Sequence, residues 1–186
     1  QRPAGDDSII QALRSEHPQV RLAALLALGS STDPKAIQAA VDASPDLKDG
    51  WSHPALVPAA DARPWDFIQA VFKSSRSEEL APLLGNLVRL AASKPDAAET
   101  AARMVQLAGS ANDSLKLAAL ESLATHMKAD VAWSPSLDAA FNKLINSENL
   151  EVAAASLPLL ARWKQDGSAA AKPLIAKLIA QVQRAD

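Results

Sequence analysis

The apolar positions of this chain recur with the period of an α-helix, and the recurrence is clearest from His17 to Gly29, HPQVRLAALLALG. At roughly 100° per residue, Val20, Ala23, Ala24, Ala27 and Leu28 share one face. Leu22, Leu25 and Leu26 fall roughly opposite, and Arg21 stands at the border between the two groups. A helix apolar on nearly all sides must be covered on more than one of them. Its alanines would let a neighbouring helix approach closely. The pattern predicts a stacked array of helices.

The same reading carries along the chain. Asp6, Asp7 and Ser8 offer N-cap oxygens for a short amphipathic helix to about Glu16, and the helix described above covers 18–29. Asp33 and Pro34 form a cap and first helical position for a third helix over 34–43. From Ser44 to Arg63 there is no clear periodicity, and Pro45, Gly50, Trp51, His53, Pro54 and Pro58 interrupt it. Its length marks 44–63 as a functional or disordered loop, within which Pro54–Ala60 has room for a short helix. Pro64 and Trp65 open a helix with Ile68, Val71 and Phe72 on its stripe. Ser77 caps another, through about Ala92, in which Pro82 either kinks the helix or marks a later start. A helix from Lys94-Pro95-Asp96 runs to about Leu107 with Ala98, Ala101, Ala102 and Val105 inward. Asn112, Ser134 and Asn149 then cap three more, the last holding Pro158 as a kink point. Ser168 to Arg184 reads as a final helix, with Leu174, Ile175, Leu178, Ile179 and Val182 as its stripe.

Overlaying Val20, Leu115 and Val152 aligns Ala24 with Ala119 and Ser156, Leu25 with Leu120 and Leu157, and Leu28 with Leu123 and Leu160. A degenerate fourth copy begins at Trp65, giving spacings of about 46, 49 and 37 residues, in or near the ~40–47 of HEAT-type helix pairs. HPQVR at 17–21, followed by Ala24-Leu25 and Leu28-Gly29, resembles the second helix of a HEAT repeat. Lys116 and Ala153 stand where Arg21 stands, so the arginine–aspartate ladder common in HEAT arrays is not continuous here. The resemblance implies an all-α, α-α superhelix of about four HEAT-like helix pairs, a single domain over 1–186. More narrowly, the first repeat, the Asp33-Pro34 helix, the PWDFIQAVF segment at 64–72 and the Asn112 copy resemble one bacterial HEAT region. It belongs to large secreted proteins that also carry a sugar-dehydrogenase-like propeller and a c-type cytochrome domain. That likeness implies a periplasmic or secreted setting and a solenoid that supports redox domains.

Composition agrees with helix. The chain is 48% hydrophobic but 4% aromatic, so the β-branched and aromatic residues that strands favour are scarce. A formal charge of -2 gives no electrostatic reason to expect nucleic acid or an anionic membrane as partner. With no cysteine, thiolate metal sites, a cysteine nucleophile and c-type haem attachment are excluded for these residues. No apolar run reaches the ~18 residues of a membrane span. The start at Gln1, without Met or a signal-type apolar stretch, reads as a piece of a longer protein.

Candidate chemistry is sparse. No nucleophile–base set, carboxylate pair in a known motif or glycine-rich phosphate loop is present, so no catalytic, cofactor or metal residue is expected. His17, His53 and His126 lack metal-ligand spacing; His126 is expected at the edge of the core. Arg21 is expected in a structural ion pair, with Asp33 or with an aspartate of the first helix. Trp51 and His53 are the candidate partner contact: Trp51 either plugs an apolar gap or presents an aromatic surface to a neighbouring domain or ligand. Trp65, Trp133 and Trp163 read as packing residues. The expected function is a non-catalytic scaffold that docks protein or adjoining domains of its own chain. The alternatives are a HEAT-like DNA glycosylase-type enzyme, which would need a basic groove, and a HEAT-type tetrapyrrole lyase or carrier.

Overall fold

The computed structural model describes residues 5–47, 49, 51–164, 172, 175 and 176. The final helix expected over 168–184 therefore lies outside the described residues, apart from those three positions. Among the described residues the protein is all-helical. The α-helices are α1 (Gly5–Leu13), α2 (Pro18–Leu28), α3 (Pro34–Ala43), α4 (Ser52–Ala59), α5 (Pro64–Lys73), α6 (Ala81–Ala91), α7 (Ala97–Ala108), α8 (Asp113–His126), α9 (Pro135–Ile145) and α10 (Leu150–Trp163).

The caps explain where many of these begin. The Asp33, Asn112, Ser134 and Asn149 side chains accept hydrogen bonds from the amides of Lys35, Leu115, Leu137 and Glu151, at 2.9, 2.9, 3.2 and 3.0 Å. Each satisfies one of the amides that a helix start leaves without an internal partner. Pro82 resolves as the later start: Ser77–Leu80 is a 3-10 turn and α6 begins at Ala81, placing Pro82 in its first turn, where no amide is needed.

The chain gathers into two compact units, Gln1–Ala91 and Ala92–Asp186. In the first, α1, α3 and α5 pack in sequence as one row and α2, α4 and α6 as another, with hairpin partners α1–α2 and α5–α6 joining the rows. In the second, α7 packs on α9 and α8 on α10, and the hairpins α7–α8 and α9–α10 join them. Neighbours within a row run parallel. The end of α2 meets the end of α4, with Gly29 against Ala59, and the Asp42 carboxylate near the end of α3 takes a 2.6 Å bond from Ser74 just past α5.

This arrangement corrects three expectations. The 44–63 stretch is not an irregular loop: it holds a 3-10 turn over Ser44–Asp46 and the whole of α4, whose Leu56 is fully buried. The segment at Trp65 is no copy of the 18–29 helix, because α5 belongs to the other row; the even row is completed by α4 and α6. And α2 is not covered all round. Ala24, Leu25 and Leu28 are buried between α1 and α4, but Val20 and Leu26 remain 41% and 65% exposed, beside exposed Ala23 and Ala27.

Candidate functional site

The most organised surface feature of the first unit lies where α2 and α4 begin. Arg21, in the first turns of α2, turns its guanidinium back over the α1–α2 corner. Its Nη1 donates to the carbonyls of Ser15 (2.7 Å) and Glu16 (3.1 Å), and its Nη2 to Asp49 Oδ2 at 2.6 Å. Both side chains of the pair are mostly buried, at 17% and 15% exposure. Among the described residues Arg21 Nε is buried without a hydrogen-bond partner, so the described bonds use only the Nη end of the guanidinium. The other Asp49 oxygen accepts the Trp51 amide at 3.2 Å. One cation thus fixes the turn that precedes α4 and, through Asp49, the backbone of Trp51.

The expected Arg21–Asp33 pair is replaced by Arg21–Asp49. The physical reason is that Asp33 is already engaged: its Oδ1 caps α3. Asp49 arrives instead from the turn that precedes α4, the helix stacked beside α2, 28 residues away in sequence. Trp51 resolves as the exposed alternative. Its side chain is 71% exposed, and with His17, Pro18, Gln19 and Leu22 it lines an open cleft of about 560 Å3. His53 lies in the first turn of α4, and its side chain is outside the described residues. His17 is the exposed residue before α2, and His126, expected at the edge of the core, is exposed at the end of α8. The structure brings Trp51 together with His17 but gathers no three histidine or acidic residues at metal-binding distance among those described.

Two further polar centres are structural. In the first unit Arg76 grips Asp46 and Glu79, which hold its proton still more tightly than usual. Gln38 and Ser74 both donate to Asp42 Oδ1, so the α3 end is tied to the α5 end. In the second unit Trp133 stacks on Phe141 with centroids 5.3 Å apart, and Trp163 meets Phe141 edge-on at 6.2 Å. Lys164 sits over the Trp133 ring, 4.9 Å from its centroid, and donates to Asp138 Oδ1 at 2.6 Å. Trp133 Nε1 and Asn142 also donate to that carboxylate. Lys164 first, then Trp133 and Asn142, hold Asp138 below the usual aspartate range. Trp163 is buried and Trp133 and Trp65 are half-buried. Sequence reading missed the Asp49, Asp138 and Arg76 centres, because each depends on a partner 26 to 30 residues away that only the packing of the helices delivers.

No protein-family model, curated protein or solved structure matches the chain. Among the described residues no helix is long and apolar enough to cross a membrane.

Proposed function

We propose that the chain is a non-catalytic docking module built as a HEAT-like α-solenoid, and that it holds adjoining domains of its own chain or a separate protein. Two observations support the solenoid reading. Each unit arranges its helices in two parallel rows joined by hairpins, as expected when each helix pair hides its apolar surface on the next. Hydrogen bonds between stacked helices also recur at similar sequence distances: 28 for Arg21–Asp49, 32 for Ser74–Asp42, 30 for Gln106–Ser136 and 38 for Arg162–Ala124. A step of this size is that of a helix pair. It is shorter than the first two spacings read from the sequence, because those passed over α4 and α6.

The single observation that carries the docking reading is Trp51. A tryptophan left 71% in solvent beside Pro18 and Leu22 forgoes burial that large aromatics ordinarily obtain. Its backbone is meanwhile fixed through Asp49 and Arg21, so binding would cost little ordering of the main chain. Exposed aromatics on a held backbone are the usual anchors of protein interfaces. The apolar strip of Val20, Ala23, Leu26 and Ala27 on the same helix extends the surface. If the resemblance to the secreted redox proteins holds, the docked bodies are the propeller and cytochrome domains.

Trp51→Ala tests this reading. The variant should melt within about 2 °C of the parent, because an exposed ring contributes little to folding. Its affinity for the partner or adjoining domain should fall about tenfold or more, as for an interface anchor. Unchanged docking, or a loss of stability like that of a core truncation, would overturn it.

A further inference from the structure

The second unit carries a separate surface whose chemistry names its occupant. Helices α8 and α10 lie side by side and parallel. At the start of α8, Lys116 first and then Asn149, the cap of α10, hold the Asp113 carboxyl below the usual aspartate range, which puts the two helix starts side by side. At the far end Arg162 donates to the carbonyls of Ala124 and Met127 at 3.2 and 2.5 Å. Between these ties runs an open groove of about 800 Å3, with Leu117, Ala124, Ala155 and Pro158 among its apolar walls. The ionisable groups lining it are two exposed carboxylates, Glu121 from α8 and Glu151 from α10. The cations closest to it along the two helices are engaged elsewhere, Lys116 with Asp113 at 2.8 Å and Arg162 with the carbonyls just named.

We propose that the α8–α10 groove binds a cationic amphipathic helix of a partner protein, its apolar stripe on the alanine and proline walls and its Lys or Arg side chains on Glu121 and Glu151. The charge selects the partner. An acidic segment would bring like charges together, whereas lysine or arginine pairs with both walls. The spacing narrows it further. With Asn149 beside Asp113 at one end and Arg162 on the Ala124 and Met127 carbonyls at the other, Glu151 sits near the level of Leu115, so Glu121 stands about six residues, roughly 9 Å, further along the groove. A partner helix lying along the groove therefore presents its cations about six residues apart, roughly 120° around its axis and so one on each flank of a leucine-type stripe. The small side chains of the walls let that helix approach closely. The surface belongs to the second unit and does not rest on the reading given to Trp51 in the first.

The experiment uses the full chain and a labelled helical peptide with a leucine stripe flanked by lysines about six residues apart, followed by fluorescence anisotropy. Saturable binding is expected, weakening as salt rises from low to physiological strength. Glu121→Gln and Glu151→Gln should each weaken it about two- to fivefold, the range of exposed ion pairs, without moving the melting temperature. Trp51→Ala should bind the peptide as the parent does. A peptide with glutamate in place of lysine, or with the lysines but no apolar stripe, should fail to bind. Equal binding of either control peptide, unchanged affinity in both glutamine variants, or loss of binding on Trp51→Ala would overturn the proposal. So would self-association of the chain that the glutamine variants abolish, which would make a second copy the occupant.

Discussion

Arg21 joins three pieces of chain through one guanidinium: the end of the α1–α2 corner, α2 itself and the turn before α4. Removing it leaves two carbonyls and a largely buried carboxylate without their donor, which places the expected cost of Arg21→Met at about 2–3 kcal/mol. Asp33→Ala removes only a helix cap and should cost about 1 kcal/mol. Thermodynamic cycles separate the two assignments. Arg21→Met and Asp49→Asn should be strongly non-additive in urea unfolding, and Arg21→Met and Asp33→Ala additive. A large coupling to Asp33 would restore the pairing expected from sequence. That expectation failed for a definite reason: an aspartate before a proline at a helix start has its carboxylate committed locally, and the chain pattern cannot say which distant acid stacking will deliver. Asp138 gives a pH test in the second unit. Its carboxyl is held below the usual range in the folded state by Lys164, Trp133 and Asn142. The stabilisation is thus present above the unfolded value near ~3.9 and is lost as pH falls through the lower, folded value. Parent and Asp138→Asn should differ in melting temperature at pH 6 and converge in strong acid. A gap independent of pH would show that the ion pair contributes nothing.

Helix starts were legible and helix ends less so. The caps at Asp33, Asn112, Ser134 and Asn149 need only a short polar side chain and its own next turn, so a local pattern suffices. The α4 helix was legible only as a short possibility over Pro54–Ala60 inside a stretch read as a loop, because Pro54 and Pro58 read as breakers. Pro54 falls in the first turn, where its missing amide has no intrahelical partner anyway, and Pro58 forfeits a single bond to the Pro54 carbonyl. The buried Leu56 and Ala60 then hold the helix against α2 and α6. Gly29 looked like a glycine stop, yet its φ of -57° is right-handed, as is the -56° of Gly109 after α7. Neither position needs glycine for its backbone. A Cβ there would meet the Leu26 carbonyl oxygen at 3.4 Å and Ala59 Cα at 3.7 Å, or the Gln106 carbonyl oxygen at 3.4 Å and Ala140 Cα at 3.6 Å, all ordinary contacts. Gly29→Ala and Gly109→Ala should each stabilise by about 0.4–1 kcal/mol through the unfolded chain, seen as a rise of a few degrees in melting temperature. A drop would mean that the α2–α4 or α7–α9 approach is tighter than these distances allow.

At the scale of each unit the question is whether the helices form rows or a closed bundle, and the two differ in how damage spreads. In a row, an element is coupled to its neighbours and only weakly beyond them. In the first unit α4 touches α2 and α6 within its own row, and its Leu56 is fully buried. Leu56→Ala should cost about 2–5 kcal/mol by removing a buried side chain and leaving a cavity. Hydrogen exchange read helix by helix then separates the architectures. If the row is the unit of cohesion, protection should fall most in α4, next in α2 and α6, and least in α1, which packs mainly on α2 and α3. A single closed core would unfold as one body, and protection would drop evenly from α1 to α6. The repeat of Val20, Leu115 and Val152 in the sequence pointed to rows because those three helices each form the second member of a hairpin. It could not give the step between them, since α4 and α6 carry the same role with a different apolar pattern. An even loss of protection would remove the basis for the Trp51 docking surface, which depends on a helix face left open at the side of the row.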